Sequence, residues 1–288
     1  MENVSRLNQK QRYPLQLKVH PYLFDHYLDG KTILPAVEAL IVLAKAVKLH
    51  FPKININCLH NARFPRFLIM EPEVKSLNAF VDLSDSGTGV IAASLTTSVK
   101  TKAGNITRML EHAYVEFNIN TPDSIPVHPF RSFEKLSGKC INIPADSVYR
   151  ELVPFGPAYQ NIIGDLSLSP DGALAYLSGG NREVDDDILG SPFPFDAVMH
   201  AACVWTQRFT DVVPFPVGFD KRIIYQKTSK EKTYLSRIIP VKFDKEPFVF
   251  NAWIFDLQGN VCEAIDGLQM RDVSQGKRKP PSWIKEES

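Results

Sequence analysis

The sequence predicts an α+β protein built from two similar halves, each a curled antiparallel sheet around a central apolar helix. The first half contains a nearly unbroken apolar run from Ala36 to Val47, directly after Pro35. The second half contains an equivalent run from Ala197 to Trp205, again preceded by prolines. A helix that is apolar on nearly every face must be wrapped by other structure. Each half is therefore expected to surround its helix with strands.

Strand-like segments follow the helix of the first half. They combine β-branched residues with alternating polarity, a pattern that predicts strands at residues 78–83, 90–99 and 114–119. Glycine-containing segments at residues 84–89 and 102–105 predict the hairpin turns between them. One helix followed by antiparallel strands accounts for this half.

A proline-containing stretch with little periodicity separates the halves and predicts a linker over residues 121–144. Residues 147–152 predict a short helix that is capped by Asp146. Further strands are predicted on both sides of the second apolar helix, at residues 173–177, 234–239, 248–255 and 264–270.

The length of the chain, 288 residues, suits one large domain or two small ones and is enough to bury a sizeable core. We predict the first domain at residues 14–120 and the second at residues 145–275. The basic, proline-containing end of the chain predicts a flexible tail over residues 276–288.

Composition excludes several classes of protein. A hydrophobic content of 44% and a charged content of 23% are typical of a soluble globular protein. The net charge of +1 gives no basic surface for nucleic acid. The polar N-terminus has no signal-peptide core, and the run after Pro35 is too short for a membrane span and contains Glu38 and Lys45. We therefore expect a cytoplasmic protein with no nucleic-acid or membrane partner.

Common cofactor motifs are missing from the sequence. The seven histidines form neither H-x3-H nor H-E-x2-H, so no metal site is predicted. The sequence also lacks G-x-G-x2-G, P-loop and G-x-S-x-G patterns, which excludes a nucleotide cofactor and an α/β-hydrolase nucleophile.

Each half carries ionisable side chains close to the start of its apolar helix. His26, Gly30 and Pro35 form an H-x3-G-x4-P pattern before the first helix. Asp196 and His200 form a D-x3-H pattern in the second, where a spacing of four residues places both on one helix face. One acid or base group per half predicts a composite active site for an oily, water-poor substrate.

These motifs resemble those of the dehydratase domains of polyketide synthases and related multifunctional fatty acid synthases, which have a double-hotdog fold. The family motifs are H-x3-G-x4-P and D-x3-(Q/H). Residues 155–160, with the sequence F-G-P-A-Y-Q, resemble the family's Y-G-P-x-F-Q motif. Residues 216–224 and 256–261 resemble its L-P-V segment and its closing hairpin. The order and spacing agree from about residue 14 to about residue 275.

The resemblance implies a dehydratase that converts a 3-hydroxyacyl thioester into a 2-enoyl thioester. His26 would remove the C2 proton, and Asp196 would protonate the leaving hydroxyl. The acyl chain would be carried on the phosphopantetheine of acyl carrier protein, with no other cofactor. Carrier protein and other polyketide or fatty acid synthase enzymes are the implied partners. Formation of a homodimer is possible as well. The chain is either a discrete enzyme or an excised domain.

The resemblance also implies a set of substrate contacts. The backbone N–H of Gly30 is a candidate to polarise the thioester carbonyl. Phe155 replaces the usual tyrosine of its motif, so any contact from that hydroxyl is lost. The full set of implied substrate-binding residues is Gly30, Leu34, Pro35, Phe155, Gly156, Pro157, Tyr159, Gln160 and His200.

Several alternatives stay open at this point. Asp196 suits the acid role only if its pKa lies above the usual value of about 3.9, which burial favours and a helix N-terminus opposes. It could instead orient the hydroxyl while His26 serves both steps. The same fold could also isomerise a double bond, cyclise a polyketide as product-template domains do, hydrolyse a thioester, or dock carrier protein without catalysis.

Overall fold

The computed structural model describes residues 10–100, 107–118, 125, 134–181 and 188–286. The chain divides into two compact units, Met1–Asp123 and Ser124–Ser288. Each unit contains one long helix and one antiparallel sheet, as the duplicated sequence pattern predicts.

The first unit begins with strand β1 and the small elements that lead into its helix. They are β1 (Lys10–Lys18), a 3-10 helix (Pro21–Asp25), β2 (Tyr27–Leu28), β3 (Lys31–Ile33) and α1 (Ala36–His50). The remaining strands are β4 (Cys58–Arg63), β5 (Ile69–Met70), β6 (Ser76–Asp85), β7 (Val90–Lys100) and β8 (Thr107–Asn118).

The main sheet of the first unit has the antiparallel strand order β1-β6-β7-β8-β4, and β2, β3 and β5 form a second, small sheet. Helix α1 packs on β6, β7 and β8. Its apolar face is buried, whereas Lys48, Leu49 and His50 at its end are exposed. Helix α1 is buried because most of its surface is apolar and is removed from water when it packs on the sheet.

The second unit starts with a short strand and a series of helical turns. These elements are β9 (Ile141–Pro144), α2 (Ala145–Ser147), a π-helix (Val148–Leu152) and a 3-10 helix (Pro157–Tyr159). The rest of the unit comprises β10 (Ile162–Ser169), β11 (Gly172–Ser178), α3 (Phe193–Phe209), β12 (Phe215–Ile224), β13 (Thr233–Lys242), β14 (Phe248–Asp256), β15 (Val261–Arg271) and a 3-10 helix (Ser282–Lys285).

The sheet of the second unit has the antiparallel order β12-β15-β14-β13-β11-β10-β9. Helix α3 packs against β10 to β14 and is buried without interruption from Phe193 to Gln207. Asp196 and His200 therefore lie inside the hydrophobic core, where a polar side chain needs a partner.

Three sequence-based boundaries need correction. Residues 141–144 form β9, paired with β10, although they fall in the predicted linker. The predicted tail contains the 3-10 helix Ser282–Lys285, and Ile284 is only 1% exposed, because this apolar residue packs on the unit. Strand β1 starts at Lys10, before the predicted domain start at residue 14. The turn predicted at residues 102–105 lies outside the described residues, as does most of the linker.

The short helix predicted at residues 147–152 also differs from the structure. It begins earlier, at Ala145, and continues as a π-helix from Val148 to Leu152. Pro144 occupies the N-cap position and no side chain caps the helix, so the predicted cap at Asp146 is wrong. Proline suits this position because its fixed φ matches the start of a helix and a missing N–H costs nothing there.

Candidate active site

His26 is held by the main chain of the neighbouring hairpin. It follows the 3-10 helix, and its backbone N–H donates to Leu23 O at 3.1 Å. The N–H of Ile33 donates to His26 O at 3.0 Å, and His26 Nδ1 lies 3.0 Å from Ile33 O. A carbonyl oxygen can only accept, so Nδ1 carries the proton. In the neutral ring, Nε2 therefore has the lone pair that a general base needs.

The geometry of the β2–β3 hairpin explains how Ile33 comes to bond with His26. Tyr27 pairs with Thr32 and Leu28 with Lys31, leaving Asp29 and Gly30 as a two-residue loop. Their φ angles are +52° and +71°, the type I′ turn that Asp-Gly sequences favour. This turn brings β3 back beside His26, and Gly30 itself is exposed. The turn alone accounts for a glycine here, and the role of its N–H towards a thioester stays a prediction.

The start of helix α1 is anchored beside this hairpin. The N–H of Leu34 donates to Leu68 O at 2.9 Å. Pro35 is the N-cap of α1, and its carbonyl accepts from the N–H groups of Glu38 and Ala39 at 3.1 Å each. Leu34 and Pro35 are both buried, so they belong to the packed base of the hairpin, and their contact with substrate stays a prediction.

Asp196 and His200 face each other within helix α3. They are 3% and 5% exposed, and Asp196 Oδ2 lies 2.9 Å from His200 Nε2. The ring nitrogen is not aligned with the oxygen, so neither atom has a hydrogen-bond partner among the described residues. The short distance therefore marks an electrostatic contact. Catalytic contacts of this kind often align only when substrate binds.

Tyr149 approaches the other nitrogen of the His200 ring. Its hydroxyl oxygen lies 3.5 Å from His200 Nδ1 and accepts the N–H of Ile162 at 2.8 Å. The two rings meet almost at right angles, at 83°, with centroids 5.8 Å apart. Burial raises the pKa of Tyr149 well above its usual value, and the charge of Asp196 adds to the shift. The phenol therefore stays protonated across the physiological range.

Only part of the predicted F-G-P-A-Y-Q contact set reaches this centre. The Phe155 ring packs on His200, with centroids 5.1 Å apart. Tyr159 instead packs against Phe193 at the start of α3, with centroids 5.6 Å apart. The exposed Gln160 folds back so that its amide donates to Phe155 O at 2.8 Å.

Gly156 and Pro157 shape the backbone between these side chains. Gly156 is the N-cap of the 3-10 helix and accepts the N–H of Tyr159 at 3.0 Å, and Pro157 is the first residue of that helix. The structure gives both residues a role in the turn, and their contact with substrate stays a prediction.

A buried ion pair supports the first turn of α3. Arg222 is 2% exposed and Glu263 is 0% exposed. Arg222 Nε donates to Glu263 Oε2 at 2.8 Å, and Nη2 lies 2.7 Å from the same oxygen. The guanidinium also stacks over Phe195, 4.4 Å from its ring centroid, beside Asp196. Burial raises the pKa of Glu263, and the Arg222 charge opposes that rise.

Hydroxyl groups complete the support of the helix start. Ser191 Oγ donates to Gly179 O at 2.7 Å, and the N–H of Phe193 donates to Ser191 Oγ at 3.4 Å. Thr228 Oγ1 lies 3.1 Å from Ser191 O and 3.4 Å from Glu263 Oε1. Glu263 is thereby linked to the segment that leads into α3.

Sequence reasoning missed Tyr149, Arg222 and Glu263. The two charged residues had a usable signal, because each lies in a strand among apolar neighbours such as Ile223 and Ala264. Charges in such positions are almost never fully buried unless they are paired. Tyr149 gave no comparable signal, because its contact with His200 depends on how two distant segments pack.

Neither a metal-ligand cluster nor a helix able to cross a membrane occurs in the described part of the chain. In these residues, no three histidine, cysteine, aspartate or glutamate side chains lie close enough together to hold a metal ion. None of the described helices combines the length and apolar character that a bilayer crossing requires.

Comparison with known proteins adds a family match. Residues 143–280, which lie in the second unit, match the family model described as "Polyketide synthase dehydratase N-terminal domain". No curated protein matches the chain.

Similar solved structures cover nearly the whole chain. The dehydratase domain from the CurF module of the curacin polyketide synthase has 17% identity and a TM-score of 0.71, covering 93% of this chain and 95% of that one. A trans-AT dehydratase domain from Brevibacillus brevis has 17% identity and a TM-score of 0.71, with coverages of 92% and 94%. The dehydratase domain of RzxB from Pseudomonas fluorescens has 14% identity and a TM-score of 0.66, with coverages of 92% and 97%. At these identities the likeness shows the fold, and it confirms the predicted double hotdog.

Proposed function

We propose that the protein eliminates water from a 3-hydroxyacyl thioester in polyketide biosynthesis, and the match of residues 143–280 to the polyketide synthase dehydratase model supports this proposal. The observation that carries the chemistry is the hydrogen bond from His26 Nδ1–H to Ile33 O. It commits one ring proton to the backbone and leaves Nε2 to act as a base.

The first proton transfer is assigned to His26. Its Nε2 takes the C2 proton of the substrate, which is weakly acidic because the thioester carbonyl holds the developing charge. The C2–H electron pair becomes the new C2–C3 double bond, while the C3–O bond breaks and its electrons leave with the hydroxyl. The imidazolium that forms keeps its Nδ1–H bond to Ile33 O, so the ring does not move during the transfer.

The second proton transfer is assigned to Asp196. Because Oδ2 faces His200, the proton that protonates the leaving hydroxyl is placed on Oδ1. The carboxylate that remains lies 2.9 Å from His200 Nε2, whose N–H stabilises the new charge. His26 then loses its extra proton and Asp196 regains one, which resets both groups for the next substrate.

The remaining parts of the proposal concern substrate and partners. Phe155 lies against His200 and presents an apolar ring beside the acid. Gly30, Leu34, Pro35 and the F-G-P-A-Y-Q segment are proposed to line the path of the acyl chain. The proposed carrier is the phosphopantetheine arm of acyl carrier protein, which is also the main partner, and a cytoplasmic location is part of the proposal.

The experiment is intact-protein mass spectrometry of a 3-hydroxybutyryl carrier protein after incubation with the enzyme. We expect the acyl carrier to lose the mass of one water. The Asp196→Asn protein, prepared in parallel, should leave the mass unchanged. The same assay with 3-hydroxybutyryl coenzyme A shows how far the reaction depends on the carrier protein.

Other outcomes contradict the proposal in distinct ways. Release of free acid identifies a thioesterase. A 2-enoyl or longer polyketide carrier that rearranges without a mass change, while the 3-hydroxyacyl carrier stays intact, identifies an isomerase or a cyclase. Carrier binding without any turnover identifies a docking scaffold.

A further inference from the structure

We propose that Tyr149 is a positioning residue, which holds His200 in the tautomer with the proton on Nε2 and thereby orients Asp196 for proton donation. This inference rests on the proposed function of Asp196. It adds to the site a residue that contacts neither the leaving hydroxyl nor Asp196 directly and that acts through His200.

The first support is the direction of the Tyr149 hydroxyl. The N–H of Ile162 donates to its oxygen at 2.8 Å. This donor leaves the hydroxyl proton to point elsewhere. The contact on that side is His200 Nδ1, at a long distance of 3.5 Å.

The second support is the anchoring of the backbone segment that carries Tyr149. Tyr149 belongs to the π-helix, a rare element that often occurs at functional sites. The N–H of Val153 donates to Val148 O at 2.8 Å, which closes the wide turn. Gln207 of α3 donates to Leu152 O at 3.1 Å, so the π-helix is tied to the helix that carries His200.

The third support is the consequence for the His200 ring. When Tyr149 donates to Nδ1, the neutral imidazole must carry its proton on Nε2, facing Asp196 Oδ2. The opposite tautomer would direct Nδ1–H at an oxygen that already accepts the N–H of Ile162. It would also place the Nε2 lone pair 2.9 Å from a carboxylate oxygen. Tyr149 therefore selects the tautomer whose Nε2–H faces Oδ2, and Oδ1 is left for the substrate.

The test is nitrogen NMR of the His200 ring in uniformly ¹⁵N-labelled protein, combined with kinetics of Tyr149→Phe. We expect wild-type His200 to show the Nε2–H tautomer, and Tyr149→Phe to show a mixture of both. In single-turnover assays the rate should fall about 3- to 10-fold, as expected for one lost neutral hydrogen bond. The KM for the carrier substrate should stay unchanged, because the proposal has the phenol act only through His200.

Tyr234→Phe is the matched control. Tyr234 is also buried, at 3% exposure, and its hydroxyl likewise accepts a backbone N–H, from Ser229 at 2.7 Å. This control loses the same kind of bond without touching the site, so both the tautomer and the rate should be unchanged. Adding Tyr149→Phe to His200→Gln should give no further loss of rate, because the residue that Tyr149 orients is already gone.

The outcomes separate this inference from the proposed function. A wild-type His200 in the Nδ1–H tautomer overturns the inference directly and needs no variant to fold. An unchanged tautomer in Tyr149→Phe overturns it as well. The NMR result does not depend on turnover, so an absence of dehydration with the expected tautomer rejects the function and keeps the positioning role.

Discussion

The two halves hold their proton-transfer side chains by different means. In the N-terminal half, His26 is clamped by backbone groups of a single hairpin, above all the carbonyl of Ile33. In the C-terminal half, Asp196 faces the side chain of His200, which Tyr149 contacts in turn, and the neighbouring Phe195 stacks with Arg222.

This difference follows from where the two residues lie in the chain. His26 precedes its helix and can use the free carbonyl of a short strand. Asp196 lies within its helix, where the backbone is already hydrogen-bonded and only side chains remain as partners. A base held by the backbone is sensitive to backbone geometry, whereas an acid held by side chains is sensitive to single substitutions around it.

The largest effect is expected from His26→Ala. Loss of the general base should lower the single-turnover rate of dehydration by about 10²–10⁴-fold or more. Circular dichroism and the melting temperature should stay close to wild type, which separates loss of the base from loss of the fold. A correctly folded variant with near-normal turnover contradicts the assignment of His26 as the base.

The next largest effect distinguishes the role of Asp196 from that of His200. Asp196→Asn should be severely impaired, because an amide keeps the size of a carboxyl but cannot deliver the proton. His200→Gln should be milder, because a glutamine amide can still donate to the carboxylate. Single-turnover assays on a 3-hydroxyacyl carrier protein measure both, and the reverse order would identify His200 as the proton donor.

A double variant tests whether the two halves serve one reaction. Groups that act in the same chemical step have strongly non-additive effects. His26→Ala combined with Asp196→Asn should therefore be little slower than the worse of the two single variants. If the fold-reduction in the double variant equals the product of the two single reductions, the residues act independently.

The third effect concerns the stability of the C-terminal half. Glu263→Ala leaves Arg222 buried without its partner, which should lower the free energy of unfolding by about 3–5 kcal/mol. The double variant Arg222→Met/Glu263→Leu removes both charges and should recover most of that loss. Urea unfolding measures both, and equal instability of the single and double variants would show that the pair itself is required.

A smaller effect tests the hairpin beside His26. Gly30 has a φ of +71°, and nothing lies within 4 Å of the position that an added methyl group would take. Gly30→Ala therefore adds only backbone strain, about 1 kcal/mol. Gly87→Ala is the control, because Gly87 has a φ of +72° in the β6–β7 turn. Similar losses of stability, with turnover reduced only in Gly30→Ala, would show that the hairpin geometry positions the base.

The smallest effect involves the ion pairs of Asp82 in β6. Burial alone would raise the pKa of Asp82, but hydrogen bonds and charges from Arg12 and Lys10 outweigh it and lower the pKa. The folded pKa is below the unfolded one, so this stabilisation is present above about pH 4 and is lost as the pH falls. Because both cations are largely exposed, Arg12→Ala should cost only about 0–1 kcal/mol at pH 7. The free energy of unfolding of this variant should also depend less on pH in the acid range.

The sequence predicted the two long apolar helices and the most clearly alternating strands. Helices α1 and α3 were evident because a helix wrapped on nearly all faces must be apolar throughout. The strands of the β6–β8 meander were evident from their alternation. Strands β1 and β9 were missed or misplaced, because each lies at the end of its unit's strand order and includes a proline, as edge strands tolerate.

The parts of the site that could be predicted are those whose residues lie close together in the sequence. His26 to Pro35 and Asp196 to His200 span one hairpin and one helical turn, so sequence distance sets their geometry. Tyr149 meets His200, and Arg222 meets Glu263, only through packing between distant segments, which no spacing rule encodes. The motif did not indicate that Gln160 donates to Phe155 O or that Tyr159 packs on Phe193, and the contact of both residues with substrate stays a prediction.

The 3-10 helix at Ser282–Lys285 has a consequence for biosynthesis on the ribosome. Trp283 Nε1 donates to Glu151 at 2.6 Å, and Arg208 Nη1 donates to Ile284 O at 2.6 Å. Residues 282–286 are translated after every strand of the sheet, so these contacts close last during synthesis. Until residue 284 has left the exit tunnel, the nascent unit exposes the apolar surface that Ile284 covers. A truncated clone that stops at residue 275 would keep that surface exposed permanently.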